Sequence, residues 1–151
     1  MIEIALYQPD IAANTATIMR LAACLGLGVA VIEPAGFTWS DSSLKRAGLD
    51  YLGKAELIRD SSWESFRRRT AGRRLVLMTT KSALPYCEFH FAVGDVIVMG
   101  RESAGVPDEV HRAADARLLI PMRRGLRSIN VALACAMVTG EALRQLESFP
   151  R

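Results

Sequence analysis

The sequence predicts an α/β fold in which a mostly parallel β-sheet carries helices on both faces. Short apolar runs with strand character alternate with helical patterns along the 151 residues. The runs are nearly continuous, as strands buried on both faces of a parallel sheet require. Hydrophobic residues make up 50% of the chain, enough for a substantial core. We therefore expect a single domain over residues 1–151.

Six segments have the composition of buried strands. They are Ile2–Tyr7, Val29–Glu33, Ala55–Ile58, Leu75–Thr79, Val96–Met99 and Arg117–Ile120. In folds of this class, ligands bind beyond the carboxyl ends of the strands, near the point where the strand order reverses. The residues that directly follow the predicted strands are therefore the first candidates for a functional site.

The first helix is predicted to follow the first strand, with Asn14 as its N-cap. Apolar residues recur at helical spacing over Ile18–Leu25, and Gly26 or Gly28 ends the helix. Arg20 lies about 200° around the helix from the first of these apolar residues, so it should point away from the core.

Two short helices are predicted in the middle of the chain. Ser61–Glu64 has the S-x-x-E form of a capping box and opens a helix that runs to Arg69. Pro107–Glu109 opens another, with a proline just inside the start and acidic residues in the first turn.

The last helix is predicted from about Ile129 to Leu146, with Ser128 as a candidate cap. Its Val131–Val138 portion is apolar on every face, so it should be buried all round, in the core or in a subunit interface. In a domain of this size, such a helix favours a homodimer.

The charge permits a polyanionic partner without requiring one. The net charge is +3, and arginines cluster at 67–69, at 73–74 and over 123–127. A run such as Arg67–Arg69 is equally typical of a solvated helix face.

The three cysteines, Cys24, Cys87 and Cys135, lie far apart and have no metal-ligand spacing. We therefore expect buried, reduced thiols and no metal site. No signal-peptide pattern and no apolar run long enough to cross a bilayer is present, which predicts a cytoplasmic protein.

Three segments that follow or include the ends of predicted strands contain residues that could form a functional site. In Tyr7–Arg20, a cation near a helix start can hold a phosphate or orient a hydroxyl group, although the pattern alone also fits a surface arginine. In Val96–Pro107, a G-x-E-x-x-G turn places Glu102 where a dinucleotide fingerprint has glycine. That carboxylate would repel a diphosphate and suit a cationic or hydroxyl-bearing ligand, and a simple tight turn remains an alternative. In Leu119–Asn130, a basic loop with one glycine leads into the last helix.

In this order, the three segments resemble the signature motifs of the SPOUT 2′-O-methyltransferases. The resemblance covers nearly the whole chain and is greatest to the single-domain tRNA (cytidine/uridine wobble-position 2′-O)-methyltransferases. Supporting stretches are Asn14-Thr15 with Arg20, Ile32–Pro34 with Gly36-Phe37, Leu44–Tyr51, Thr79–Lys81, Ile120–Met122, Ser128–Asn130 and Glu141–Gln145. The sequence departs from the family's pattern at Gly140, where a tyrosine is common near the dimer helix.

The resemblance implies a deep trefoil knot in the C-terminal third. It also implies that the protein transfers a methyl group from S-adenosylmethionine, without a metal. The acceptor would be the 2′-hydroxyl of the wobble pyrimidine in the tRNA anticodon stem-loop. The residues expected to bind S-adenosylmethionine are Met78, Gly100, Ile120, Met122 and Ser128. The residues expected to act in catalysis are Arg20, Glu102, Ser128 and Asn130. The residues expected to contact the RNA backbone are Lys45, Arg46, Arg123, Arg124 and Arg127.

A guanidinium group holds its proton with a pKa above about 12, so we interpret Arg20 as a clamp for the phosphate and the hydroxyl group rather than as a base. Two alternatives stay open. One is the same reaction on ribosomal RNA or at another tRNA position. The other is a non-catalytic RNA- or nucleotide-binding module on the same scaffold.

Overall fold

The computed structural model describes residues 1–40, 42, 44, 46, 54–82 and 84–151. The strands are β1 (Glu3–Tyr7), β2 (Gly28–Ile32), β3 (Glu56–Asp60), β4 (Leu75–Met78), β5 (Leu84–Pro85), β6 (Val96–Met99) and β7 (Ala116–Leu119). The helices whose bounds lie within the described residues are α1 (Ala12–Leu25), α2 (Trp63–Arg69), α3 (Asp108–Ala113) and α4 (Val131–Gln145), with a 3-10 turn at Tyr86–Glu88.

The described strands form one sheet in the order β3-β2-β1-β6-β4-β7-β5, and each neighbouring pair is parallel. The predicted parallel α/β fold is therefore confirmed. All six predicted strands are present, with ends that agree to within two residues. The prediction missed β5, because a two-residue strand that contains Pro85 has neither the length nor the composition of a buried strand.

Alternating residues of β1 show that helices cover both faces of the sheet. Ile4 and Leu6 belong to a core cluster that includes residues of α1 and α4. Ala5 and Tyr7 belong to a second cluster that includes residues of α2 and α3. Because successive side chains of a strand point to opposite faces, one central strand supports both layers of helices.

Three of the predicted helix starts were wrong, by one to three residues. The N-cap of α1 is Ile11 rather than Asn14, and that of α2 is Ser62, whose hydroxyl accepts the Ser65 N–H. The cap of α4 is Asn130 rather than Ser128, because the Asn130 side chain accepts two backbone N–H groups. The α1 end was predicted correctly, at Gly26 in the left-handed conformation.

Within this chain, α4 is buried on one side only, so burial of its other side in a subunit interface stays a prediction. Cys135 and Val138 face the core and are fully buried, whereas Leu133 is 61% exposed and Met137 is 40% exposed. The outer face is therefore apolar and uncovered in a single chain. Arg20 is exposed on α1, while Ile18 is buried, as the helical spacing predicted.

The expectation of buried thiols holds for Cys135 but was wrong for Cys24 and Cys87, which are exposed. Cys24 lies near the end of α1 and Cys87 in the 3-10 turn. Burial raises the pKa of the Cys135 thiol to about 12. In the part of the chain that the structure describes, no group of acidic, histidine and cysteine side chains could hold a metal ion. No described helix is long and apolar enough to span a membrane.

Candidate active site

A cleft of about 480 Å³ opens beyond the carboxyl ends of β4, β6 and β7. Parallel strands end at the same edge of the sheet, so loops that are distant in sequence meet there. The described residues that line it are Ile11, Asn14, Met78–Lys81, Met99–Glu102, Ala104–Val106, His111, Ile120, Met122, Ser128–Val131 and Ala134. The volume lies within the usual range for small-molecule sites.

The loop after β6 is held closed by its own backbone. The Arg101 N–H donates to the Gly105 carbonyl (2.9 Å), and the Gly105 N–H donates to the Arg101 carbonyl (3.0 Å). A Cβ atom at Gly100 would lie 3.0 Å from the Gly105 backbone. A side chain at position 100 would therefore crowd the Gly105 backbone, and the bare backbone of Gly100 lines the cleft.

Side-chain hydrogen bonds join the loops around the cleft. The Glu102 Oε1 accepts from the Asn14 Nδ2 (3.4 Å), and the Asn14 Oδ1 accepts from the Asn130 Nδ2 (3.1 Å). The Asn130 Oδ1 in turn accepts the N–H groups of Ala132 (2.9 Å) and Leu133 (3.3 Å). Asn14, predicted as a cap, is instead the central member of a network that links α1, the loop after β6 and the start of α4.

The Glu102 carboxylate is also paired with Asp10, three residues after β1. The Glu102 Oε2 accepts the Asp10 N–H at 3.0 Å. Burial raises the pKa of the Glu102 carboxyl, and, although the Asp10 N–H lowers it, a side-chain hydrogen bond with Asp10 raises it further. The pKa of Asp10 is lowered by that same hydrogen bond, by Ser103 and by the charge of Arg101. On acidification, the proton goes to Glu102 before Asp10.

The structure brings together most of the residues that were predicted for this site. All five expected to bind the methyl donor, Met78, Gly100, Ile120, Met122 and Ser128, line the cleft. Among the residues expected to act in catalysis, Glu102, Ser128 and Asn130 also line it.

Of the described residues expected to act in catalysis, only Arg20 lies outside the cleft lining. It is six residues beyond Asn14 on α1, which is about 9 Å along the helix axis. Within a single chain, Arg20 therefore lies on α1 beyond the part of the helix that lines the cleft.

The basic residues predicted for RNA contact lie on exposed segments where the structure describes them. Arg123, Arg124 and Arg127 are exposed on the loop between β7 and α4, which also contributes Met122 and Ser128 to the cleft. Arg46 is exposed, and Lys45 lies outside the described residues.

Several residues at this edge had been given no role in the site. The Thr79 hydroxyl lies 3.5 Å from the His111 Nε2, and both residues line the cleft with Lys81. Asp10 received no role, although it follows β1 at the carboxyl edge, where functional residues of this fold gather. Its position in the chain was the one available signal.

The chain matches the SpoU rRNA methylase family over residues 1–140. It belongs to this family. The SpoU chain is 53% identical over 150 residues to the tRNA (cytidine(34)-2'-O)-methyltransferase of Ancylobacter novellus, with 98% of this chain and 95% of that relative covered.

Solved structures are similar to this SpoU chain over almost its entire length. A structure described as giving insights into the 2-OH methylation of C/U34 on tRNA has a TM-score of 0.93 and 37% identity, with 97% of each chain covered. An rRNA methyltransferase from Sinorhizobium meliloti with bound AdoMet has a TM-score of 0.86 and 28% identity, covering 96% of this chain and 56% of that one. The resemblance drawn from the three motifs is confirmed.

Proposed function

We propose that this SpoU-family protein transfers a methyl group from S-adenosylmethionine to the ribose 2′-hydroxyl of a pyrimidine at the tRNA wobble position. The observation that carries the proposal is the cleft, where all five expected donor-binding residues line one pocket. The Ancylobacter relative is named for this reaction at cytidine 34, and the similar C/U34 structure concerns the same modification.

The chemistry of the lining suits the donor. Met78, Ile120 and Met122 offer an apolar slot, and the backbone at Gly100 is open to close approach. An apolar pocket with a few placed backbone groups is suited to an adenosyl group. The AdoMet-bound Sinorhizobium structure, which has the same fold, supports the assignment.

S-adenosylmethionine supplies an electrophilic methyl group: the O–C bond to the ribose forms as the S–C bond breaks, and S-adenosylhomocysteine and the hydroxyl proton leave. The protein contributes mainly positioning and control of charge. We assign Arg20 as the clamp for the RNA phosphate and the reacting hydroxyl, with proton loss coupled to that phosphate. Glu102, Ser128 and Asn130 shape the site in which the hydroxyl meets the methyl group.

Exposed arginines near the cleft are proposed to bind the anticodon stem-loop. Arg123, Arg124 and Arg127 lie on the loop that also lines the cleft, and Arg46 is exposed elsewhere. We propose the same role for Lys45. Contacts of this kind release counterions from RNA, so binding should weaken steeply as salt rises.

The proposed active form is a homodimer. Leu133 and Met137 lie one turn apart on α4 and are exposed, as is Ile11 beside the cleft. Apolar side chains in such an arrangement are typical of a surface that a second subunit covers. α1 packs beside α4 and exposes Arg20, so the proposed interface would lie near the proposed clamp.

We also propose the trefoil knot, within one domain over residues 1–151. It is supported by the position of β7 between β4 and β5, which are consecutive in the chain. Leu118 of β7 lies opposite both Met78 of β4 and Leu84 of β5, so the chain after Leu119 leaves from between these two strands. With tRNA as the substrate, the same proposal locates the enzyme in the cytoplasm.

The test is nucleoside mass spectrometry of bulk tRNA incubated with the protein and labelled S-adenosylmethionine. We expect the label in 2′-O-methylcytidine or in a 2′-O-methylated wobble uridine. Arg20→Ala should lower the rate by about 100-fold or more, since it removes a charged group from the transition state. Arg68→Ala, which removes an exposed arginine from α2, is the matched control and should keep wild-type activity.

Label in ribosomal RNA but not in tRNA would replace the proposed substrate with the ribosomal one. Binding of the donor with no label in any RNA would favour the non-catalytic alternative. Equal rates for Arg20→Ala and Arg68→Ala would remove Arg20 from the mechanism.

A further inference from the structure

Asp10 makes three hydrogen bonds to the loop after β6. Its N–H donates to the Glu102 Oε2 (3.0 Å), and its Oδ1 accepts the Glu102 N–H (3.2 Å). Its Oδ2 accepts the hydroxyl of Ser103, and the Arg101 Nη2 lies 3.9 Å from the same oxygen. One short acidic side chain thus engages three consecutive residues of a loop more than 90 positions away.

The segment after β2 also packs against Asp10. The Gly36 N–H donates to the Pro9 carbonyl at 2.8 Å. A Cβ atom at position 36 would lie 2.7 Å from the Asp10 Cβ and 2.9 Å from its Cα. Only a glycine permits this approach, so Asp10 is held between two loops and has little room to shift.

The loop that Asp10 holds is the one that contributes most to the cleft. Gly100, Arg101, Glu102, Ala104 and Gly105 all line it, whereas Asp10 is not among the described lining residues. The loop is already closed by the backbone pair between Arg101 and Gly105. The backbone pair fixes the shape of the loop, and Asp10 fixes the orientation of the loop relative to the sheet.

The side chain of Glu102 depends on the same contact. Its Oε2 accepts from the Asp10 N–H, and its Oε1 accepts from the Asn14 Nδ2. These contacts favour an ionised Asp10, because Glu102, Ser103 and Arg101 all lower its pKa. An ionised Asp10 accepts strongly from the Glu102 N–H and the Ser103 hydroxyl, and these are the bonds that orient the loop.

We propose that Asp10 is a positioning residue for the methyl-donor site: it fixes the 100–105 loop, and with it the Glu102 carboxylate, in the geometry that binds the donor. This inference rests on the proposed function of the cleft. Asp10 acts through the loop and contacts neither the donor nor the RNA.

The test compares Asp10→Ala, Asp10→Asn and the control Glu56→Ala, which removes an exposed carboxylate from the start of β3. The dissociation constant for S-adenosylhomocysteine is measured by calorimetry, and KM and kcat are measured with the anticodon stem-loop. Asp10→Ala should raise the dissociation constant and the donor KM by about tenfold or more, the effect expected for losing a charge-assisted hydrogen bond. The kcat at saturating donor should fall less than KM rises, a split that a general loss of folded protein would not produce.

A second measurement follows backbone amide exchange in the 100–105 loop of the donor-free protein. We expect faster exchange at the Glu102 amide in both Asp10 variants and no change in Glu56→Ala. Should Asp10→Ala fail to fold, the two measurements on Asp10→Asn decide the question. Its amide nitrogen cannot accept the Ser103 proton, so a weaker donor affinity with faster exchange supports the proposal.

Unchanged donor affinity, or unchanged amide exchange, in a folded Asp10 variant would overturn the proposal. Failure of the wild-type protein to bind S-adenosylhomocysteine is a separate result that refutes the proposed function. The amide-exchange comparison needs no donor, so it still decides whether Asp10 holds the loop.

Discussion

The Asn130 side chain makes hydrogen bonds in two places. Its Oδ1 accepts the N–H groups of Ala132 and Leu133 and so caps α4, while its Nδ2 donates to Asn14 at the cleft. An asparagine is suited to this position because its amide carries both an acceptor and two donors. The start of the last helix and the polar network of the site are therefore fixed by one side chain.

Replacing Asn130 by alanine should lower the free energy of unfolding by about 1 kcal/mol, the usual cost of losing an N-cap. Ser128→Ala, two residues earlier on the same exposed loop, should leave stability within about 0.5 kcal/mol of wild type. Urea denaturation at neutral pH measures both. A larger loss for Ser128→Ala than for Asn130→Ala would mean that the cap belongs to Ser128.

At the scale of elements, charged groups on different strands and helices hold the sheet and α2 together. The Glu3 Oε1 on β1 accepts from the Arg69 Nη2 at 2.8 Å, and the Glu3 Oε2 accepts from the Arg73 Nη1 at 2.5 Å. Arg69, at the end of α2, also binds Asp60 on β3. Burial of Glu3 raises its pKa, but the two arginines more than offset this, so the pKa is lowered.

Glu3→Gln should lower the free energy of unfolding by about 2 kcal/mol at pH 7, because it leaves partly buried guanidinium groups without their carboxylate. The folded-state pKa of Glu3 lies below 4.5. The stabilisation is therefore present above that pH and is lost as the pH falls through the folded-state pKa. Urea denaturation at neutral and at acidic pH should show the difference between variant and wild type shrinking in acid.

Glu56→Gln, which neutralises an exposed carboxylate on β3, is the matched control and should change stability little at either pH. A Glu3→Gln effect of the same size at both pH values would show that shape and packing, rather than charge, make this position important.

At the scale of the whole molecule, the outer face of α4 is apolar and exposed. Leu133 and Met137 lie one turn apart on it, whereas the opposite side of the helix is packed into the core. The proposed dimer covers this face, and burying each such side chain is worth about 1.5–3 kcal/mol.

Leu133→Glu should convert the proposed dimer to a monomer, since a carboxylate buried without a partner is strongly unfavourable. Sedimentation velocity measures the association state, and the activity assay on tRNA measures its consequence. Val93→Glu is the control, because Val93 is 74% exposed and lies outside α1 and α4. A wild-type protein that sediments as a monomer, or a Leu133→Glu variant that remains dimeric, would contradict this interface.

Particular residues show how far prediction from sequence could go. Gly100, Ile120 and Ser128 were expected at the site from the family resemblance, and all three line the cleft. Gly100 directly follows a predicted strand, and parallel strands end at the same edge of the sheet. Asn14 was misassigned because its local sequence fits a cap, whereas its actual partner, Glu102, is 88 positions away. Asp10 was passed over for the same reason, since its contacts lie 92 and 93 positions away.

The sequence by itself determined the parallel α/β class, the places of six strands and the edge of the sheet at which the site lies. Local periodicity and composition carry this information, because a strand buried on both faces needs a continuous apolar run. Only the tertiary structure decided the strand order, with β7 between β4 and β5, and the polar network of Asp10, Glu102, Asn14 and Asn130. These features join residues far apart in the chain, and no local pattern specifies which distant loop a side chain will meet.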